Sequence, residues 1–322
     1  MQVALARPMG KKITLVCLAG MLLVVAWLAA FPFGQRVDGS YRPRVAVAAY
    51  PSAGPRVLFD AAHHNAHTAG GRYAPLAKLL GADGYRVGSL EEPFATGSLA
   101  AVDVLVVANA AGGTNPQLFG INLVPLRRGH RQAPAFRRHE IAAVRGWVER
   151  GGSLLLVADH YPFGPAAAAL AAAFGVRMHG GFVEADHEYP GQRDPSQLLF
   201  TRTNGLLADH PIARGRDAGE RVASVMSFTG QSLDGPAGSA LLRLPANAVD
   251  YVRVGDQMVE APAGSAQAVA FECGRGRVAV LGEAALLTAQ RDDQGKPFGM
   301  QLAEADDERF ARNLFHWLSR LL

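Results

Sequence analysis

Four short apolar runs each close on a polar residue: Val57-Leu58-Phe59-Asp60, Val104-Leu105-Val106-Val107-Ala108-Asn109, Leu154-Leu155-Leu156-Val157-Ala158-Asp159 and Val278-Ala279-Val280-Leu281-Gly282-Glu283. Continuous apolar runs of this length, separated by helical patterns, read as parallel strands buried on both faces. Helical stripes fall between them. Tyr73, Leu76, Leu79 and Leu80 share a face that stops near Gly84, and Phe136, Ile141, Val144, Trp147 and Val148 share another that stops at Gly151-Gly152. An alanine-rich helix is predicted over about 165–174. A terminal helix is predicted in which Phe310, Leu314, Trp317, Leu318 and Leu321 form one stripe behind Asp306-Asp307 as cap. Residues 85–90 add a further strand. The pattern predicts an α/β domain built on a mostly parallel sheet with helices on both faces. Over 176–271 it changes to short strands and turns, read as a smaller antiparallel extension.

The N-terminus breaks this rhythm. Residues 13–33 carry no charge and follow Arg7, Lys11 and Lys12. About 20 apolar residues suffice to cross a bilayer, so this run is expected to be an N-terminal transmembrane helix. The basic residues before it place the N-terminus inside and the bulk of the chain outside. The expected location is therefore a single-pass inner-membrane protein whose soluble domain faces the periplasm. Residues 35–55, interrupted by Pro43, Pro51 and Pro55, read as a linker. The expected organisation is an anchor over 1–34, this linker, and one α/β body over 56–322.

Composition narrows the function classes. Hydrophobic residues make up 49% of the 322 and charged ones 19%, which is the balance of a folded chain. The net charge is +4, with 28 Arg against 4 Lys, and no basic stripe carries interleaved aromatics, so nucleic acid is not an expected partner. Cys17 and Cys273 make no disulfide framework. The basic run Arg127, Arg128, His130, Arg131, Arg137 and Arg138 reads as a solvated face, or as a contact to anionic lipid headgroups. Glu184, Asp186, His187 and Glu188 read as a solvated acidic loop.

Ligands of open parallel sheets bind just beyond the carboxyl ends of the strands. The polar residues there are the candidates for chemistry. Asp60, His63, His64 and His67 fall within eight residues and offer a donor set for a divalent metal such as zinc, whose catalytic sites need three protein ligands. The plainer reading is that they cap loops and hydrogen-bond the strand ends. Asp159 and His160 occupy the turn after the third run, where a general base and acid would sit; Asp159 reads equally as a helix cap. Glu283 would close the crevice from the last strand, and a carboxylate buried there needs a partner, for which a histidine of the first loop is expected. Asn65, Asn109, Thr288 and Gln290 are the candidates to hold a ligand.

Several of these segments resemble a known family. Val57–Asn65, read as Val-Leu-Phe-Asp-Ala-Ala-His-His-Asn, and Gly146–Asp159, read as Gly-Trp-Val-Glu-Arg-Gly-Gly-Ser-Leu-Leu-Leu-Val-Ala-Asp, are similar to the class I glutamine amidotransferase-like superfamily, in its branch known as domain of unknown function 4350. Gly276–Glu283 and Ala208-Asp209-His210-Pro211-Ile212 fit the same pattern, and the resemblance covers about 55–320. It implies a flavodoxin-like sheet. True amidotransferases carry a cysteine at the elbow where this chain has Asp159-His160, so glutamine hydrolysis is not expected. The expected function is a small-molecule or glycan pocket at the strand ends; if it is catalytic, the expected reaction is hydrolysis with Asp159 or Glu283 as base and the histidines as acid or metal ligands, and the alternative is a non-catalytic binding module with envelope protein partners.

Overall fold

The computed structural model describes residues 35–113, 133–186, 188–190, 192, 194–255 and 257–322, with the backbone alone of 117–118 and 121–122. In chain order, β1 (Arg36–Val37) and β2 (Arg56–Asp60) precede α1 (Ala74–Ala82), β3 (Arg86–Leu90) and β4 (Val104–Ala108). A hairpin of β5 (Gln117–Leu118) and β6 (Ile121–Asn122) comes before α2 (Arg138–Glu149), β7 (Ser153–Val157) and α3 (Phe163–Ala172). Short elements follow: β8 (Arg177–Met178), β9 (Phe182–Glu184), β10 (Leu198–Thr201), α4 (Pro211–Arg214), β11 (Ser224–Ser227), β12 (Leu233–Asp234) and β13 (Ala240–Arg243). The chain ends with β14 (Val249–Val254), β15 (Gln257–Pro262), β16 (Ala266–Cys273), β17 (Gly276–Leu281), β18 (Ala289–Arg291), β19 (Pro297–Gly299) and α5 (Asp307–Leu318).

The largest sheet has nine strands in the order β3-β2-β4-β7-β17-β16-β12-β8, with β13 also on β16. Alternate residues of its central strands enter two cores. Phe59, Val106, Leu155 and Leu281 pack with Leu76 and Leu79 of α1 and with Phe310, Leu314 and Phe315 of α5. On the other face Leu58, Leu105, Leu156 and Val280 pack with Val144 and Trp147 of α2 and Leu170 of α3. At the end where the parallel strands begin, backbone meets backbone. Gly84, with φ of +92°, lies so close to the Tyr50 carbonyl that a Cβ would overlap it, and one on Gly276 would overlap the Val148 carbonyl.

The expected fold class is corrected. β3, β2, β4, β7 and β17 run parallel, yet of the described strand pairings four are parallel and ten antiparallel. Helix makes up only 19% of the described residues. The molecule is β-rich, with mixed and antiparallel sheets, rather than a mostly parallel flavodoxin-like α/β sheet with a small extension. Apolar runs report central strands strongly and short, half-exposed hairpin strands hardly at all, so the antiparallel strands leave little mark in the sequence.

The membrane reading is corrected too. The 13–33 run lies outside the described residues. Among the described residues no helix is long and apolar enough to cross a membrane; α2 and α5 have 12 residues each, against about 20 for a span. The anchored, inner-membrane and periplasm-facing placement rests on that run alone and finds no support among the described residues. Nor does 35–55 stand away from the body as a linker. β1 pairs with β18, Tyr41 is buried and donates to Glu308 at 2.8 Å, and the Ala49 amide donates to Asp83 at 3.0 Å.

Candidate functional site

Asp60 ends β2, and Asn109, Asp159 and Glu283 lie one or two residues beyond β4, β7 and β17; these four strands are successive parallel neighbours. Their side chains therefore share one rim of the sheet. Asn109 organises its middle. Its φ of +55° is a left-handed conformation that asparagine tolerates better than most residues. Its side-chain oxygen accepts from the Asp159 amide at 2.8 Å, and its amide nitrogen donates to His67 Nδ1 at 3.1 Å. One buried amide thus ties two strand ends to the first loop.

That loop is filled by an ionic triad. His63 Nδ1 lies 2.9 Å from Asp60, and Nε2 lies 2.9 Å from Glu140 on α2. The ring sits 4.4 Å from that of Phe94 and 4.9 Å from that of Phe136, centroid to centroid. Burial opposes a charge on His63, but the two carboxylates outweigh it and raise its pKa. Glu140 is pushed up by burial and held below the ordinary range by the Arg137 amide and by His63. Asp60 also accepts from Asn65 at 2.6 Å and from the Ala62 amide at 3.1 Å. The other buried histidine behaves oppositely: burial, with help from Arg72, lowers His67 to about 3, so its ring is neutral.

These bonds decide the metal question on fit. Both nitrogens of His63 face carboxylates, His67 Nδ1 accepts from Asn109, and His64 is exposed with φ of +51°. Asp60, His63, His64 and His67 do not converge as ligands, and among the described residues no group of three or more such side chains is placed to hold a metal. The residues present do not fit a zinc ion.

The carboxyl pair lies farther along the rim. Glu283 is buried and accepts from the amides of Ala285 and Leu286 at 2.5 and 2.8 Å. Burial, then the charge of Asp159, raises its pKa well above the ordinary value, against the pull of those two amides. Asp159 is pushed up to about 6 by burial, against the opposing pull of His160 and three hydrogen-bond donors. Among the described residues no histidine bonds to Glu283, so the expected pair does not form there. Glu283 instead meets backbone amides and a second carboxyl, and Tyr73, whose hydroxyl donates to the Ala284 carbonyl at 3.2 Å, packs beside both.

Some groups were not foreseen. Gln231 is fully buried; its side-chain amide donates to the carbonyls of Ala158 and Asp159 at 2.7 and 3.1 Å and accepts from the Gly180 amide at 2.7 Å. It sits in an aperiodic polar stretch that offers no sequence signal. Glu140 did offer one, since it falls on the stripe of Phe136 and Val144, an acid on an apolar face. Thr288 and Gln290 are buried and bonded to each other at 2.9 Å, with Thr288 also on the Ala285 carbonyl, just behind Glu283. His160 stays at the rim with 43% of its side chain exposed, and Asp159 with 15%. In the acidic stretch, Asp186 is exposed and His187 lies outside the described residues, as do Arg127, Arg128, His130 and Arg131. Three cavities among the described residues, of about 450, 510 and 400 Å³, are lined by other side chains.

No family model matches the chain, and no curated protein matches it. Solved structures do. The N-terminal domain of mmIFT52 is 16% identical, with a TM-score of 0.55 over 82% of this chain and 97% of its own. Cytoplasmic protein STM1381 from Salmonella typhimurium LT2 is 14% identical, with a TM-score of 0.47 over 82% and 99%. A ThuA-like protein from Parabacteroides merdae is 11% identical, with a TM-score of 0.41 over 83% and 90%. At these identities the first likeness is one of fold, and the others carry no argument.

Proposed function

We propose that the strand-end rim binds a small neutral, hydroxyl-bearing molecule of the kind a sugar presents, and that the chain acts as a binding module. The observation that carries this is the division of labour along the rim. Asp60, His63, Asn65, His67 and Asn109 are engaged inside the protein, while Asp159 and His160 reach solvent. A carboxylate beside the Asn109 amide suits hydroxyl groups, because it accepts from them, and it repels anions. The absence of a Ser or Cys at the Asp159-His160 turn removes the acyl-enzyme route that an elbow nucleophile supports.

The second reading is hydrolysis with Asp159 as general base. Its favouring observation is the level near 6, close to where an acid–base group works best. Titrating the full-length chain with neutral sugars and with their uronic acids, followed by nuclear magnetic resonance, tests both. Binding is expected for the neutral set and is weakened about tenfold, or roughly 1.4 kcal/mol, by Asp159→Asn. Equal binding of the acids, or no effect of the variant, rejects the module. Turnover of an aryl glycoside that vanishes in the same variant establishes the hydrolase.

A further inference from the structure

Large apolar side chains exposed to solvent are few among the described residues: Val47, Val254, Met258 and Val259. Three of the four sit on the β14–β15 hairpin. The sheet order β15-β14-β9 leaves β15 on the outside, with an open row of backbone donors and acceptors. Gln257, Met258, Val259 and Glu260 are all exposed. Proteins ordinarily blunt such an edge with charges, proline or a covering loop. Here Glu260 and Pro262 blunt its far half, whereas Met258 and Val259 leave the near half apolar and flat.

The register within the hairpin determines what can add to it. Val254 pairs with Gln257 across the two-residue turn, Arg253 with Met258, and Val252 with Val259. A two-residue hairpin closes on a hydrogen-bonded pair, so Gln257 and Val259 turn their peptide groups toward β14. Alternation then turns those of Met258 and Glu260 outward. Two identical edges meeting antiparallel about a two-fold axis must bring outward residues opposite outward ones, which restricts the centre to whole residues. A centre on Glu260 sets that carboxylate against its own copy. A centre on Met258 pairs only residues 257–259 of each copy and carries Glu260 past the end of the facing strand. A centre on Val259 sets Met258 opposite Glu260 and Gln257 opposite Ala261, and no like charges meet. It also lines up Val252, Val259 and their two copies as one rung of four β-branched side chains, a favourable cross-strand arrangement.

We infer that this chain associates with a second copy of itself through the open edge of β15, antiparallel and centred on Val259, to make one six-stranded sheet. The inference is independent of the ligand reading at the rim. A contact limited to a hairpin edge is small beside the roughly 1,600 Å² of a standard interface. The dimer is accordingly weak, with a dissociation constant on the order of 10–100 µM.

Sedimentation velocity of the full-length chain over a range of concentrations reads the association directly. A concentration-dependent dimer is expected, and Val259→Lys, which puts two like charges on the axis, weakens it at least about tenfold. Val259 is exposed, and unchanged thermal unfolding shows that the variant keeps its fold. Opposite residues in a non-hydrogen-bonded pair lie about 4.5 Å apart at Cα, within the reach of a disulfide. Val259→Cys should therefore form a covalent dimer on air oxidation, above the background of the unsubstituted chain, while Val254→Cys does not. A chain that stays monomeric throughout overturns the inference. So does a dimer indifferent to Val259→Lys, equal crosslinking from residue 254, or an edge that takes a foreign β-strand peptide while the chain remains monomeric.

Discussion

Two histidines four residues apart in one loop have their pKa values moved in opposite directions. His63 lies between two carboxylates that stabilise its charge; His67 meets an amide donor and Arg72 in a buried setting and stays neutral. Stability should follow pH from two sides. The His67 contribution is present above its unfolded value near 6.5 and is lost as pH falls toward about 3. Between pH 6.5 and 4 that amounts to about 3 kcal/mol. The His63 contribution is complete below about 6.5 and fades as pH climbs through its raised value. Urea midpoints across pH 4–9 check this: His67→Gln should flatten the acid side and His63→Gln the alkaline side. A variant that shifts every midpoint equally refutes the assignment for that histidine. The spacing of His63 and His67 was legible in the sequence, but their chemistry was not, because it depends on Glu140, 77 residues away.

At the scale of elements, α5 shows how a correct local reading can assign the wrong task. Asp306 and Asp307 stand where a helix cap belongs, yet neither side chain caps α5. Asp306 accepts from the amides of Ala223 and Ser224 at 2.7 and 3.3 Å, and Asp307 from that of Met226 at 2.9 Å. The acids hold the neighbouring strand β11. Asp306→Ala should cost about 1–2 kcal/mol. It should speed hydrogen exchange at Ala223 and Ser224 while leaving the first turn of α5 protected; loss of protection in α5 instead would restore the cap reading. The stripes of α1, α2 and α5 were legible because burial imposes a 3.6-residue period. The hairpin strands were not, since their placement follows from pairing across distant segments.

For the whole molecule, the four strand ends on one rim were the most that patterning could deliver, and Asp60, Asn109, Asp159 and Glu283 do meet there. Gln231 escaped because nothing local marks a side chain whose role is to hold Ala158, Asp159 and Gly180 together. The docking of 35–55 escaped because its proline-broken sequence looks like a spacer. Tyr41→Phe tests that docking. Removing the hydroxyl leaves Glu308 Oε2 without this buried donor, at an expected loss of about 1–3 kcal/mol. Limited proteolysis should then cut first within 35–50. Unchanged resistance would return the segment to the status of a tether.

The glycine contacts at Gly84 and Gly276 pin the end where the parallel strands begin. Where main chain rests on main chain, any added side chain must displace a neighbouring peptide, and that end has no room to drift. The rim carries such contacts too: a Cβ on Gly282 would overlap the Gln231 carbonyl, and one on Gly112 that of Ala133. New ligand preferences can therefore be written into this scaffold by exchanging partly exposed rim side chains such as His160 between those contacts, above a floor that stays put.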